Sequence, residues 1–194
     1  MSHFGPAYRR SMLIEKGYVF HPQDRGGETF CGVARKYWPN WPVWRYIDYL
    51  KSFPDFPQNI PYSQLEPYLR SFYRENFWTP IEGIADQDIA NQVYDTAVNS
   101  GLSASVKILQ HSLNLLNRGG TDYPDIDVDG VFGNESIQAL NTLLLSRPKE
   151  NLLFLLWHEQ LDGWIDLVRA DESQEQFLNG WLKRFQHNIS GVSS

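Results

Sequence analysis

The sequence has one cysteine, Cys31, so no intrachain disulfide can form and no Cys-based zinc cluster is available. It has no run rich in Lys and Arg, and its formal net charge is −6, so nucleic acid is not an expected partner. Long hydrophobic runs are missing too. The longest apolar stretch, Leu152 to Trp157, is too short to span a bilayer, and no membrane insertion is expected. Before Glu15 only Met12, Leu13 and Ile14 follow Arg9 and Arg10, short of the apolar core of a secretory signal. The expectation is cytoplasmic synthesis without a signal peptide.

Several chemical signatures are absent or incomplete. No G-x-S-x-G, phosphate loop or dinucleotide fingerprint occurs. His158-Glu159 opens like a zinc-peptidase motif, but Asp162 stands where the second His belongs. Asp125 to Gly130 has the spacing of a calcium loop, yet its twelfth position is Ser136 and Glu135 sits one place early. No metal or other cofactor is expected. Cys31 beside Phe30 and Gly32 reads as a packing residue, because no Cys-His signature accompanies it.

Aromatic residues are abundant: 7 Trp, 10 Tyr and 11 Phe among 194 residues. Such rings fill cores, and they also line sugar-binding grooves. Trp38, Trp41, Trp44, Phe53, Phe56 and Tyr62 form a dense run among prolines. A chain of this length and hydrophobicity buries a core without a covalent staple.

The pattern predicts an α+β fold, mostly helical, with a small β-hairpin after the first helix. A helix over Tyr8–Glu15 ends before Gly17; strand-forming residues at 18–20 and 29–30 flank Gly26-Gly27. Helices are predicted over Gly32–Trp38, Val43–Phe53, Ser63–Phe77, Asp86–Ser100, Ser103–Leu116 and Asn134–Ser146. A long one follows Pro148, and the last covers Gln174–His187. Ser63 and Glu66 have capping-box spacing.

The segment from Glu15 to Gly32, EKGYVFHPQDRGGETFCG, carries the chemistry. A carboxylate closes a helix, a second one, Asp24, stands in a β-loop, and the hydroxyl of Thr29 follows a Gly-Gly turn. Glycosidic cleavage uses one carboxylic acid to protonate the leaving oxygen. A second polar group handles water or the cation-like transition state. Glu15, between Leu13-Ile14 and Tyr18, suits an apolar pocket that keeps a carboxyl protonated; Asp24 sits in a wetter loop. Gly26 and Gly27 let backbone approach a bulky sugar. Strand alternation points the rival carboxylate, Glu28, away from Thr29.

This segment resembles the signature of glycoside hydrolase family 108, N-acetylmuramidases often named secretion activator proteins. Glu15, Gly17, Tyr18, Asp24, Gly26, Gly27, Thr29 and Gly32 stand at matching places, and Lys16 replaces the family's first Gly. The Glu–Asp–Thr order is also similar to that of phage-type lysozymes. The resemblance implies Glu15 as catalytic acid. Asp24 and Thr29 enter as base, water positioner or hairpin anchor. Val93–Gly101 resembles the family's middle helix, whose Asn-x-Gly end places Asn99 at the cleft. Tyr18, Gly27 and Asn99 are thus the expected substrate-binding residues. Asp129-Gly130-Val131-Phe132-Gly133 resembles a peptidoglycan-binding element, but reads first as turn and cap chemistry before a helix.

The expected whole is one lysozyme-like domain over 1–194. Residues 1–100 form its catalytic part, and 101–194 a helical lobe with the peptidoglycan-binding-like element. Its expected activity is hydrolysis of the β-1,4 bond between N-acetylmuramic acid and N-acetylglucosamine. Its expected partner is the peptidoglycan glycan strand, reached through a holin or another export route in the manner of a prophage endolysin. The alternatives are a non-catalytic wall-binding or secretion-assisting protein on the same scaffold, a lytic transglycosylase, and a Cys-dependent amidase.

Overall fold

The chain folds as α+β, mostly helical, with its sheet directly after the first helix. The computed structural model describes residues 1–12, 17–20 and 27–190. In order it places α1 (Phe4–Met12), β1 (Tyr18–Phe20), β2 (Glu28–Phe30), β3 (Val33–Ala34), α2 (Val43–Leu50) and α3 (Tyr62–Tyr73). A π-helical turn (Arg74–Trp78) and a 3-10 turn (Thr79–Ile81) lead to α4 (Gln87–Ser100) and α5 (Leu102–Leu116). There follow α6 (Asn134–Ser146), α7 (Lys149–Ala170), a 3-10 turn (Glu172–Gln174) and α8 (Glu175–Ser190). Two compact units result: Tyr8–Glu75, and Met1–Ala7 with the chain from Asn76 onward.

In the Tyr8–Glu75 unit, the antiparallel sheet has the order β1-β2-β3. Cys31 (φ 46°) and Gly32 (φ 80°) join β2 to β3. Two left-handed residues in a two-residue loop match the right-handed twist of the flanking strands. Here the structure corrects the helix predicted over Gly32–Trp38. Phe30 pairs with Val33 and Thr29 with Ala34, so the segment opens as a strand and continues as turns. The positive φ at Cys31 and Gly32 reverses the chain before a helix can start.

The capping box predicted at Ser63 and Glu66 is also corrected. α3 begins one residue earlier, at Tyr62, and Pro61 stands at its N-cap with no side-chain cap. Glu66 instead hydrogen-bonds the Tyr8 phenol, whose pKa is pushed up by burial and then by that carboxylate. The helix turns π-helical after Tyr73, so the predicted Ser63–Phe77 span is helical of two kinds. Ile47, Phe30, Val33, Trp44, Leu65 and Leu69 are buried and form this unit's core.

In the other unit α4 is central. Asp86 caps it, its carboxylate accepting from the N–H groups of Asp88 (2.9 Å) and Ile89 (3.1 Å). Every residue from Ile89 to Ala97 is buried, polar ones included. Asn91 and Thr96 bond within α4, whereas Gln92 and Asp95 are paired across helices. Gln92 Nε2 donates to Gln160 Oε1 on α7 (2.9 Å), and Trp157 Nε1 donates to Gln92 Oε1 (2.8 Å). The Asp95 carboxylate, 1% exposed, accepts from Arg184 Nε (3.0 Å) and Nη2 (2.8 Å) on α8. It also accepts from Asn188 Nδ2 (2.6 Å). A buried carboxylate is tolerated when paired and hydrogen-bonded in this way.

The acidic loop before α6 is fastened from α5. Gln110 Nε2 donates to Asp129 Oδ1 (2.8 Å), and Gln110 Oε1 accepts from the Gly130 N–H (2.9 Å). Asn114 brackets the backbone of Ile126, and Asn117 donates to Asp125 (2.5 Å). Two of the three carboxylates with calcium-loop spacing are therefore engaged in shaping turns. Gly130 has φ 80°, and a Cβ there would run into Ser103. The Asp-Gly-x-Phe-Gly run does structural work at this position.

Candidate functional site

The register of the sheet sorts the candidate residues by face. Tyr18 opposes Phe30, Val19 opposes Thr29, and Phe20 opposes Glu28. Side chains directly opposite each other share a face, and neighbours along a strand alternate. Thr29 therefore shares one face with Val19 and Ala34. Tyr18, Glu28 and the buried Phe30 occupy the other, so Glu28 is directed away from Thr29 as alternation predicts.

Glu28 is held by cations. Its oxygens lie 3.1 Å from Arg35 Nε and 2.5 Å from Lys51 Nζ. Arg35 also grips Asp48 with two nitrogens, at 2.7 and 3.1 Å, and its guanidinium lies 4.6 Å from the Trp44 ring centre. The Asp48 carboxyl is held below its ordinary value, first by the Arg35 hydrogen bond. Burial opposes the Lys51 charge, but the Glu28 hydrogen bond and charge outweigh it and its pKa rises. The Tyr18 phenol is raised by burial and then by Glu28, to which it hydrogen-bonds. Its ring meets Phe56 edge-on at 4.6 Å. Tyr18 is thus part of a packed, ion-paired face.

The entry to β1 is equally constrained. The Tyr18 N–H donates to the Tyr62 hydroxyl (3.3 Å), and a Cβ on Gly17 would overlap that hydroxyl. A larger residue at 17 would have to push the Tyr62 ring aside. Gly27 stands before β2 with φ 63°, and none of the described residues comes within 4 Å of where its Cβ would lie. Asn99 is exposed in the last turn of α4, which Gly101 (φ 91°) ends in the unit from Asn76 onward. Glu15 and Asp24, the expected acid and second carboxylate, lie outside the described residues, as does Gly26.

Two features of this unit escaped the sequence reading. One is the Glu28–Arg35–Asp48–Lys51 network, spread over 24 positions with no local signature. The other is a row of exposed rings on α2: Tyr46 (37% exposed), Tyr49 (60%) and, just past the helix, Phe53 (41%). Its signal was present. These rings recur at i, i+3 and i+7, on the face beside that of Val43, Ile47 and Leu50.

Comparison with known proteins places this geometry. A solved structure of SagA from Brucella abortus superposes with a TM-score of 0.66 at 23% identity. The match covers 96% of this chain and 91% of that one. The fold is accordingly the expected lysozyme-like one. No curated protein matches the sequence significantly. Residues 104–186 match the family model described as Predicted Peptidoglycan domain, and residues 9–101 match the one described as Glycosyl hydrolase 108. The part of the chain that carries the sheet and the Glu15–Gly32 segment is thus the part that is similar to glycosyl hydrolase family 108.

Proposed function

We propose that the chain is a peptidoglycan hydrolase that cleaves the β-1,4 bond between N-acetylmuramic acid and N-acetylglucosamine. One observation carries this reading. The match to the glycosyl hydrolase model contains Glu15, Asp24 and Thr29, and a peptidoglycan model follows it in the same chain. Glu15 donates the proton to the leaving oxygen. Asp24 and Thr29, on the β-loop side, position water or steady the developing positive charge. Arg35 and Lys51 occupy Glu28, which supports Asp24 as the second carboxylate. Tyr18, Gly27 and Asn99 are the residues that the family resemblance assigns to the substrate. General-acid chemistry of this kind needs no cofactor. The site of action is the cell wall, reached through a holin or another export route.

The test is Glu15→Gln, which keeps the shape of the side chain and removes its acid. Release of reducing ends from purified sacculi should fall by about 10²–10⁴-fold, with the circular dichroism unchanged. Full clearing of sacculi by this variant would sink the assignment.

The match over residues 104–186 also favours a second reading, a wall-binding or secretion-assisting protein without catalysis. That reading requires the wild-type chain to pellet with sacculi and release no reducing ends. Anhydro-sugar products would instead identify a lytic transglycosylase.

A further inference from the structure

Between α2 and α3 runs an open groove of about 490 Å³, within the range of small-ligand sites. Pro42, Val43, Tyr46, Gln64, Leu65 and Tyr68 line it, with buried Val43 and Leu65 at its base. Val43 and Leu65 are buried core residues, whereas Tyr68 is 56% exposed. The groove thus has a rigid apolar base and two tyrosines whose rings still face water. Tyr46 continues outward as a ledge. Its ring centre is 6.3 Å from that of Tyr49, with planes 28° apart, and Tyr49 meets Phe53 at 5.1 Å. None of the described residues lining the groove belongs to the sheet, and none carries a charge.

Each feature restricts the occupant. An unpaired cation or anion would find no counter-charge there. A pyranose has an apolar C–H face and a hydroxylated edge. It stacks on tyrosine rings while its hydroxyl and N-acetyl groups meet phenol and carboxamide, both of which donate and accept. The linear ledge extends this surface along α2, as a strand of successive sugars requires. Pro67 within α3 cannot donate to the carbonyl of Ser63, the residue beside Gln64, which leaves that acceptor without its helical partner.

We infer that the groove between α2 and α3 is a glycan-binding subsite, holding a neutral, N-acetylated β-1,4 sugar strand on Tyr46, Tyr68 and Gln64. It shares no residue with the proposed catalytic set, and it rests on the reading of peptidoglycan as substrate. Its role is to hold the strand while the sheet-side residues act on it.

The test uses the full chain with Glu15→Gln, so that binding is measured without turnover. The probe is the N-acetylglucosamine tetramer, titrated by calorimetry and by two-dimensional NMR. The tetramer should shift the resonances of Tyr46, Gln64 and Tyr68. Tyr46→Ala with Tyr68→Ala should weaken binding by about tenfold, since two ring stackings are lost. Tyr46→Phe with Tyr68→Phe keeps both rings and should retain most of the affinity. The shift map on the undisturbed chain decides the matter if the alanine pair fails to fold. The proposal is overturned by unchanged affinity in the alanine pair, by tetramer shifts confined to other residues, or by no tetramer binding. It is equally overturned if free stem tripeptide, and not the sugar, perturbs these residues. A wild-type chain that releases no reducing ends, yet binds the tetramer through Tyr46 and Tyr68, refutes the hydrolase and leaves the subsite standing.

Discussion

The two units handle charge in opposite ways. In the unit from Asn76 onward, the Asp95 carboxylate is 1% exposed and three nitrogens of two α8 residues surround it. In the Tyr8–Glu75 unit, Arg35, Asp48 and Lys51 form an ion network whose Asp48 side chain is 49% exposed. Charge sealed from water is expensive to leave unpaired, so the first arrangement acts as a fastener. Charge in contact with water is screened and cheap to rearrange, so the second shapes a surface. Aromatic residues on single helices show the same two uses. Tyr94 on α4 is fully buried, while Tyr46, Tyr49 and Tyr68 stand out from α2 and α3.

The largest expected effect tests the fastener. Arg184→Met leaves Asp95 buried without its cation and should cost about 3–5 kcal/mol, read by urea denaturation. The double variant Asp95→Leu/Arg184→Met should recover much of that loss, because neither charge is then stranded. A cost below about 1 kcal/mol for the single variant would mean water reaches Asp95, and the contrast between the units would fail.

Smaller effects are expected in the sheet. Gly32→Ala places a Cβ at φ 80° and should destabilise by about 1–2 kcal/mol. Cys31→Asn at φ 46° should do the reverse, by about 0.5 kcal/mol, because asparagine adopts left-handed turns readily. Loss of stability in the asparagine variant would show that Cys31 contributes more than its backbone geometry.

The smallest effect belongs to the wet network. Asp48 has a lowered pKa, so its contribution is complete above its ordinary value of 3.8 and fades as pH falls through the lower folded value. Lys51 has a raised pKa; its contribution holds below 10.5 and is lost as pH rises through the folded value. The network therefore supports the unit across the neutral range. Asp48→Asn should cost less than about 1 kcal/mol at neutral pH. Its melting curve should converge with that of the wild type in acid, and added salt should shrink the difference. A difference that persists in acid would place Asp48 outside this network.

Much of the fold was legible because local stop signals were strong. Asp86 and Gly101 bracket α4, Asn134–Ser146 begins and ends as predicted, and Pro148 precedes α7. The errors arose where a distant residue decided the outcome. Glu66 was taken by Tyr8 on α1, and strand β3 depends on a turn only two residues long. The candidate site rests on the Glu15–Gly32 pattern, of which the described residues place Tyr18, Gly27 and Thr29 in or beside the sheet. The Gln64–Tyr68 groove was hidden, since its walls come from helices separated in sequence. Half of its aromatic signal was nonetheless written in the spacing of Tyr46, Tyr49 and Phe53.

The fastener on α4 has a consequence for synthesis on the ribosome. Asp95 waits 89 positions for its guanidinium and 93 for its amide. Until Asn188 has left the exit tunnel, a nascent chain holds an acidic helix it cannot shut away from water. Stalled chains should therefore remain open to protease around residues 89–97 and become resistant once α8 is out. Translation thus schedules when this half of the molecule closes around Asp95, and the arrival of α8 gives the signal.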